Sequence, residues 1–133
     1  MNVEIDGPLV SVLMTAYNRE EFISEAIKSV LASSYQNFEL IIVDDCSTDN
    51  TVAIARTFLK DKRVSVYVNE FNLQQFQNRN KAAGYAKGKY LKYVDSDDVI
   101  YSHSLALMVK VMESNPDCGL AFSHYNGSSK YLL

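Results

Sequence analysis

The stretch YLKYVDSDD, residues 90–98, places three carboxylates directly after a short apolar run. The apolar part has the composition of a β-strand, so Asp95, Asp97 and Asp98 would stand where that strand ends. Carboxylates this close repel one another, and water or a cation must offset their charge. Two interpretations fit: a solvated turn whose aspartate caps the next helix, or a site that holds Mg²⁺ or Mn²⁺ beside a phosphate-bearing ligand.

Strands and helices are predicted to alternate along the chain, from apolar runs and from the helical spacing of apolar residues. The predicted strands are 9–14, 38–43, 64–68, 89–94 and 119–122, and the predicted helices are 20–33, 50–60, 80–86 and 104–114. Expected caps are Asn18 for the first helix, Ser47 or Thr48 for the second, and Gly88 at the C-terminus of the third. This order predicts an α/β fold, a three-layer α/β/α sandwich with a mainly parallel sheet and helices on both faces.

Length and composition are those of one ordinary globular domain covering residues 1–133. Of the 133 residues, 47% are hydrophobic and 22% are charged, and the net charge of −3 argues against a nucleic-acid partner. Cys46 and Cys118 form no metal or disulfide motif, which favours a reducing, cytoplasmic location. The sequence shows no signal peptide and no apolar segment long enough to cross a membrane.

Polar residues follow three of the predicted strands, at 15–18, 44–49 and 95–98. In a parallel sheet the carboxyl ends of the strands share one edge, where ligands bind, so we expect these groups to meet. A cation held there would bridge a diphosphate and stabilise it as a leaving group. Arg79 and Lys81 would either touch phosphate or belong to a solvated face. No glycine-rich dinucleotide motif and no P-loop is present.

Single residues in these groups have predicted roles. Tyr17 would stack on a flat ring or lie over the sheet edge. Asp44 would accept hydrogen bonds from a base N–H or a ribose hydroxyl, as acidic residues after a strand do in dinucleotide sites. Asp45 is expected to order the turn and Asp49 the start of the helix, and residues 47–49 are also explained by capping alone.

Four motifs stand in the order and spacing of a known family. They are VSVLMTAYN at 10–18, ELIIVDDCSTD at 39–49, NRNKAA at 78–83 followed by AKGKY at 86–90, and DSDD at 95–98. From about residue 8 to residue 122 the chain therefore resembles family 2 glycosyltransferases of the GT-A fold, a Rossmann-like architecture. The resemblance implies a nucleotide-sugar donor, most often a UDP-sugar, a Mn²⁺ or Mg²⁺ cofactor, and transfer to an acceptor hydroxyl with inversion at the anomeric carbon.

The resemblance also implies roles for single residues. Thr15, Ala16 and Tyr17 would border the nucleoside, and Asp44 would bind the base. Asp95 and Asp97 match the family's DxD motif. Asp97 and Asp98 would divide the ribose and metal contacts. The nucleotide-binding candidates are Thr15, Ala16, Tyr17, Asn18, Asp44, Arg79, Asp95 and Asp97, and the metal-binding candidates are Asp95, Asp97 and Asp98.

The chain departs from the family pattern after the DxD motif. In the family the general base lies well beyond that motif, and neither Glu113 nor Asp117 is interpreted as this base. We therefore expect the base and the acceptor-binding half to lie beyond Leu133, so that residues 1–133 are the donor-binding portion and are inactive alone. A glycan or lipid-linked acceptor, membrane association of the full-length protein and a homodimer through an exposed sheet edge are further expectations.

Three other functions compete with this one. A phosphoacceptor receiver domain has similar length, but it needs an acidic pair after its first strand and a lysine near the end of its fifth, where this chain has Ser123 and His124. A sugar nucleotidyltransferase would need a basic, glycine-rich loop, which Arg19 alone does not supply. A non-catalytic nucleotide-sugar-binding module stays open. His103 and His124 lack a second nearby ligand, so surface or capping roles are expected for them.

Overall fold

The apolar runs near residues 10 and 40 form the two central strands of a sheet, because strands covered on both faces have few positions for polar side chains. The computed structural model describes residues 7–122. The elements are β1 (Val10–Ala16), α1 (Ile23–Leu31), β2 (Phe38–Asp44), α2 (Thr51–Arg56), β3 (Val64–Val68), α3 (Gln74–Gly84), β4 (Tyr90–Tyr93) and α4 (Ser104–Ser114). Neighbouring strands pair in parallel in the order β3-β2-β1-β4. The predicted α/β fold with a parallel sheet is confirmed.

The two faces of the sheet bury different sets of side chains, since successive residues of a strand point to opposite sides. On one face, apolar side chains of β1, β2 and β3 pack with α1, α2 and α4 in a cluster that includes Met14, Ile42 and Leu105. On the other face, Leu13 and Val43 pack with α3. The result is the three-layer arrangement predicted from the sequence. None of the helices in the described part of the chain has the length and apolar character needed to span a bilayer.

Two predicted elements differ most from the structure, and α2 also ends at Arg56 rather than at residue 60. Residues 119–122 form no strand, and Leu120 and Phe122 are largely exposed, because no strand among the described residues lies along the outer edge of β4. Helix α3 begins at Gln74 rather than at residue 80. Its buried side consists of only Asn78 and Ala82, so the segment lacks the apolar periodicity by which a helix is recognised in a sequence.

The predicted caps also differ. The structural N-cap of α1 is Phe22 and that of α2 is Asn50, and neither makes a side-chain capping bond. Gly88 lies beyond Tyr85, the C-cap of α3, and its backbone instead packs closely against the backbone of β1. Its amide donates to Ser11 Oγ at 2.8 Å, and a Cβ at this position would lie 2.6 Å from the Ser11 backbone nitrogen. Backbone contact therefore explains the glycine.

Candidate functional site

A cleft of about 480 Å³ opens at the carboxyl ends of β1 and β4. The chain runs from β1 outward through β2 to β3, and then returns to the other side of β1 to form β4. The loops after β1 and β4 thus diverge at the point where strand order reverses, which is where open parallel sheets bind ligands. The cleft is lined by the end of β1 and the loop after it, by the residue after β2, by the start of α3 and the residues before it, and by the turn after β4. The lining residues are Thr15, Ala16, Tyr17, Arg19, Asp45, Asn72, Gln74, Gln75, Asn78, Asp95, Ser96 and Asp97.

Five of the predicted nucleotide-binding residues line this cleft. They are Thr15, Ala16, Tyr17, Asp95 and Asp97. Tyr17 is 45% exposed, so its ring is accessible to a planar ligand instead of being held within the core. The structure therefore brings together the end of β1 and the acidic turn after β4, which are about 80 residues apart in the sequence.

Asn18, another predicted site residue, is absent from the cleft lining and instead joins two loops. Its backbone has a φ of 49°, in the left-handed region that asparagine tolerates better than most residues. Its amide donates to Ser47 Oγ at 2.8 Å, and its Oδ1 accepts from the Thr48 amide at 2.9 Å. These bonds hold the loop after β1 against the loop after β2.

Asp44 was predicted to bind the base, but it does not line the cleft. It is 1% exposed, and its carboxylate accepts hydrogen bonds from the Ser47 amide and the Ser47 hydroxyl. Asp45, the next residue, does line the cleft. Alternation along β2 explains the difference: Val43 faces α3 and Ile42 faces α1, so Asp44 follows the side of Ile42.

The Asp45 carboxylate is fixed by a buried network on the α3 side of the sheet. Its Oδ1 accepts from Asn69 Nδ2 at 2.8 Å and from the Leu73 amide at 2.7 Å. Asn69 Nδ2 also donates to Asn78 Oδ1 at 2.9 Å, and Asn78 Nδ2 donates to the Val43 carbonyl at 3.1 Å. Asp45 Oδ2 makes no hydrogen bond within residues 7–122, which leaves one rigidly placed acceptor for a ligand.

The acidic turn after β4 is paired with two arginines. Asp95 Oδ1 accepts from Arg79 Nη2 at 2.6 Å, and Asp97 Oδ2 accepts from Arg19 Nε at 3.3 Å. Arg79 also lies over the Tyr93 ring, with 5.7 Å from its Cζ to the ring centroid. Arg79 does not line the cleft, so it orients the Asp95 carboxylate from the side that faces away from the cleft. Asp98 is exposed and does not line the cleft either.

The donor chemistry of this turn fits a hard divalent cation. Within residues 7–122 no group of three His, Cys, Asp or Glu side chains is placed to hold a metal ion. Two carboxylates, Asp95 and Asp97, do line the cleft, and Mg²⁺ commonly binds through one or two carboxylates while phosphate oxygens and water complete its shell. The residues present therefore fit a cation that binds together with a diphosphate.

Asp49 fixes the start of α2, the role expected for it. Its Oδ1 accepts from the amide and hydroxyl of Thr51, and its Oδ2 accepts from the Glu20 amide at 3.2 Å. Partial desolvation raises the pKa of this carboxyl, but the hydrogen bonds from Thr51 and Glu20 outweigh it and lower the pKa below its ordinary value. The charged form is thus favoured beside the N-terminus of the helix.

Glu113, Asp117 and His103 do not line the cleft. Glu113 accepts hydrogen bonds from Lys89 and Tyr90 on the outer surface, and hydrogen bonding by Lys89 lowers the pKa of this carboxyl. The His103 ring stacks on Tyr101 with 5.7 Å between centroids, and His124 lies outside the described residues.

The sequence prediction gives no role in the cleft to seven lining residues. Four of them, Asn72, Gln74, Gln75 and Asn78, lie in the polar segment before the fourth strand, in which only Arg79 and Lys81 are predicted to reach a ligand. The other three are Arg19, Asp45 and Ser96. A signal for part of this set is visible in the backbone: Gln74 has a φ of 66°, which a residue other than glycine adopts at some cost.

Comparison with known proteins identifies similar sequences and folds. A family model described as Glycosyl transferase family 2 matches residues 11–132. The chain is 38% identical over 111 residues to an Escherichia coli protein named UDP-Glc:alpha-D-GlcNAc-diphosphoundecaprenol beta-1,3-glucosyltransferase WfgD, covering 84% of this chain and 44% of that protein.

Solved structures show the same likeness in three dimensions. S. aureus TarS 1-349 in complex with UDP-GlcNAc matches with a TM-score of 0.76 and 32% identity, over 80% of this chain and 32% of that one. A mannosyltransferase from Pyrobaculum calidifontis matches with a TM-score of 0.75 at 23% identity, over 80% of this chain and 32% of that one, a likeness of fold alone. The chain thus spans less than half the length of each of these three proteins.

Proposed function

Because this chain belongs to glycosyl transferase family 2, we propose that its cleft binds the nucleoside diphosphate sugar of a sugar-transfer reaction. One observation carries the proposal: Tyr17, Asp45 and the Asp95–Asp97 turn, which come from distant parts of the chain, line the same cleft. A volume of about 480 Å³ lies within the usual range for small-molecule sites. Of the other functions weighed, the receiver domain has no support from this family membership.

We propose UDP as the nucleotide, supported by the UDP-GlcNAc complex of TarS and the UDP-Glc in the name of the Escherichia coli relative. The base would stack on Tyr17 and donate an N–H to Asp45 Oδ2, an atom left without a hydrogen bond among the described residues. The base-binding role predicted for Asp44 therefore passes to Asp45, since Asp44 is 1% exposed, does not line the cleft and has its carboxylate bound by Ser47.

Asp95 and Asp97 would hold the diphosphate end of the donor. A divalent cation bound there would supply Lewis-acid stabilisation of the departing diphosphate. The chain's own contribution is to orient the Asp95 carboxylate through the hydrogen bond from Arg79, and Ser96, which stands between Asp95 and Asp97, is buried. Because Asp95 is held in place before the donor binds, less reorganisation is needed in the transition state.

We further propose that residues 1–133 form the donor-binding portion of a longer enzyme that inverts the anomeric carbon. The short span of the chain relative to its relatives supports this, as does the position of Glu113 and Asp117 outside the cleft. The base that deprotonates the acceptor hydroxyl, and the site for a glycan or lipid-linked acceptor, would then come from sequence that follows Leu133.

Calorimetric titration of the chain with UDP, GDP, dTDP and CDP, each with and without Mn²⁺, tests this function. We expect UDP to bind most tightly and its affinity to rise with Mn²⁺, while UDP-sugar is turned over slowly or not at all. The same titrations on Asp97→Asn should show a reduced response to Mn²⁺. Absence of nucleotide binding under every condition would contradict the proposal, and efficient sugar transfer by these residues alone would contradict the donor-portion assignment.

A further inference from the structure

Arg19 is the only basic residue among the described residues that line the cleft. Its Nη1 donates to the carbonyl oxygens of Tyr17 at 3.1 Å and Asn18 at 3.0 Å, which anchors the guanidinium at the end of β1. Its Nε donates to Asp97 Oδ2 at 3.3 Å, and its Nη2 makes no hydrogen bond within residues 7–122. The guanidinium is therefore held in place and still has donors for another acceptor.

Breaking the Arg19–Asp97 ion pair costs little free energy. Its distance of 3.3 Å involves one nitrogen and one oxygen, and the two side chains are 42% and 46% exposed. Exposed pairs with a single contact contribute little to stability. By contrast, the Arg79–Asp95 contact is 2.6 Å and comes from outside the cleft lining. Asp97 is consequently the carboxylate of the DxD motif that changes partner more readily.

The negative charge of the cleft lining bears on which ligand group Arg19 would contact after leaving Asp97. Three carboxylates, those of Asp45, Asp95 and Asp97, line the cleft. Two guanidiniums oppose them, that of Arg19 in the lining and that of Arg79 beside Asp95, so an anionic diphosphate entering this cleft needs added positive charge. A cation on Asp97 would supply part of it and would also displace Arg19 from that carboxylate. The freed guanidinium forms strong, charge-assisted hydrogen bonds with phosphate oxygens.

Resting on the proposed function, we infer that Arg19 exchanges partners when the donor binds. It pairs with Asp97 in the free protein and with a diphosphate oxygen in the donor complex, in which Asp97 is released to the cation. Arg19 therefore competes with the cation when no nucleotide is present and assists nucleotide binding when the cation is present. These two effects have opposite signs, which a purely structural role of Arg19 in holding the β1 loop would not produce.

The test measures Mn²⁺ binding alone and UDP binding at saturating Mn²⁺, by calorimetry, for the wild-type chain and Arg19→Gln. Removing the exposed pair should tighten Mn²⁺ binding about two- to fivefold. Losing a charge-assisted phosphate contact should weaken UDP binding about tenfold or more. Arg19→Lys keeps the positive charge, so its Mn²⁺ affinity should stay within about twofold of wild type. Circular dichroism checks that each variant is folded.

Arg56→Gln is the matched control for the change in net charge. Arg56 is exposed in the last turn of α2, and its side chain makes no hydrogen bond within residues 7–122. Neither binding constant should change in this variant. If Arg19→Gln weakens both ligands, or changes neither while the wild-type chain binds UDP, the inference is overturned and the proposed function stands. If the wild-type chain binds no nucleotide, both are overturned.

Discussion

Asn69 donates its side-chain amide to Asp45 Oδ1 at 2.8 Å, and the two residues are 4% and 3% exposed. The same amide nitrogen donates to Asn78 Oδ1, which ties the end of β2 to the loop before α3 and to α3 itself. Two protein donors on Oδ1 restrict the orientation of the buried Asp45 carboxylate, and this also fixes the direction of Oδ2. The network thus connects packing beneath the cleft with ligand recognition in it.

Asn69→Ala is expected to destabilise the chain and to weaken UDP binding. The substitution leaves Asn78 Oδ1 buried without its donor, which costs about 1–3 kcal/mol of the free energy of unfolding. Urea denaturation measures this loss, and calorimetry measures the affinity. Asn80→Ala is the control, because Asn80 is exposed on α3 and its side chain makes no hydrogen bond within the described range. A stability for Asn69→Ala equal to wild type would contradict the role of the network.

Asp45→Asn and Asp44→Asn are expected to act on different properties although the residues are adjacent. At Asp45 the substitution keeps an acceptor for Asn69 but replaces the free acceptor by an N–H₂ donor, which opposes a base N–H. UDP affinity should fall about tenfold or more, the loss expected for an unmade buried hydrogen bond.

At Asp44 the same change removes the acceptor for the Ser47 hydroxyl, so the main effect should be on stability. Urea denaturation and UDP titration of both variants, run in parallel, separate the two roles. A larger loss of UDP affinity in Asp44→Asn than in Asp45→Asn would return the base-binding role to Asp44.

Tyr17→Ala should lower UDP affinity by about 1–3 kcal/mol, the range measured for bases stacked on aromatic side chains. Tyr17→Phe keeps the ring and should bind as wild type does, since the proposed contact is stacking and not a hydrogen bond from the hydroxyl. Tyr101→Ala serves as the control, because Tyr101 is similarly exposed, at 42% against 45%, but does not line the cleft. Equal losses for Tyr17→Ala and Tyr101→Ala would argue against stacking.

Gly88→Ala is expected to destabilise the fold by about 1–3 kcal/mol, a typical cost of overpacking. The added Cβ would lie 2.6 Å from the Ser11 nitrogen and 2.7 Å from the Leu9 oxygen, both backbone atoms that cannot move aside as a flexible side chain would. Gly84→Ala is the matched control, since its Cβ would meet nothing within 4 Å and alanine favours the helix. Thermal unfolding should show a lower midpoint for the first variant and an equal or higher one for the second.

Protonation of Asp61 should contribute to the loss of stability as the pH falls below about 4. Hydrogen bonds from Arg63 lower the pKa of this carboxyl in the folded chain, so its stabilising effect is present above the unfolded value of about 3.9 and is lost as the pH falls through the folded pKa. Urea midpoints of the wild type and Asp61→Asn should therefore converge as the pH is lowered from 6 to 3. Asn80→Ala, at an exposed position, removes no ionisable group and should keep a constant difference from wild type. A constant difference for Asp61→Asn as well would contradict the prediction.

Elements with strong local patterns were predicted well. The bounds of β3 and α4 agree with the sequence prediction, and the polar groups after β1 and β4 do share the carboxyl edge of the sheet. Elements that depend on their surroundings were predicted poorly. Helix α3 begins earlier than its weak apolar pattern indicated, and residues 119–122 form no strand because a strand needs a partner along its edge.

The pattern of apolar and polar residues along the chain was enough to determine the α/β class, the parallel sheet and the sheet edge at which polar residues collect. Each helix and strand has its own apolar periodicity, which is visible within a short stretch of sequence. Tertiary structure alone decided that Asp45 rather than Asp44 reaches the cleft, that Asn69 and Asn78 support it, and that Arg19 pairs with Asp97. Those facts depend on which face of β2 meets α3 and on how loops from distant strands converge. Side-chain direction and long-range contact of this kind are set by packing, which no short window of sequence contains.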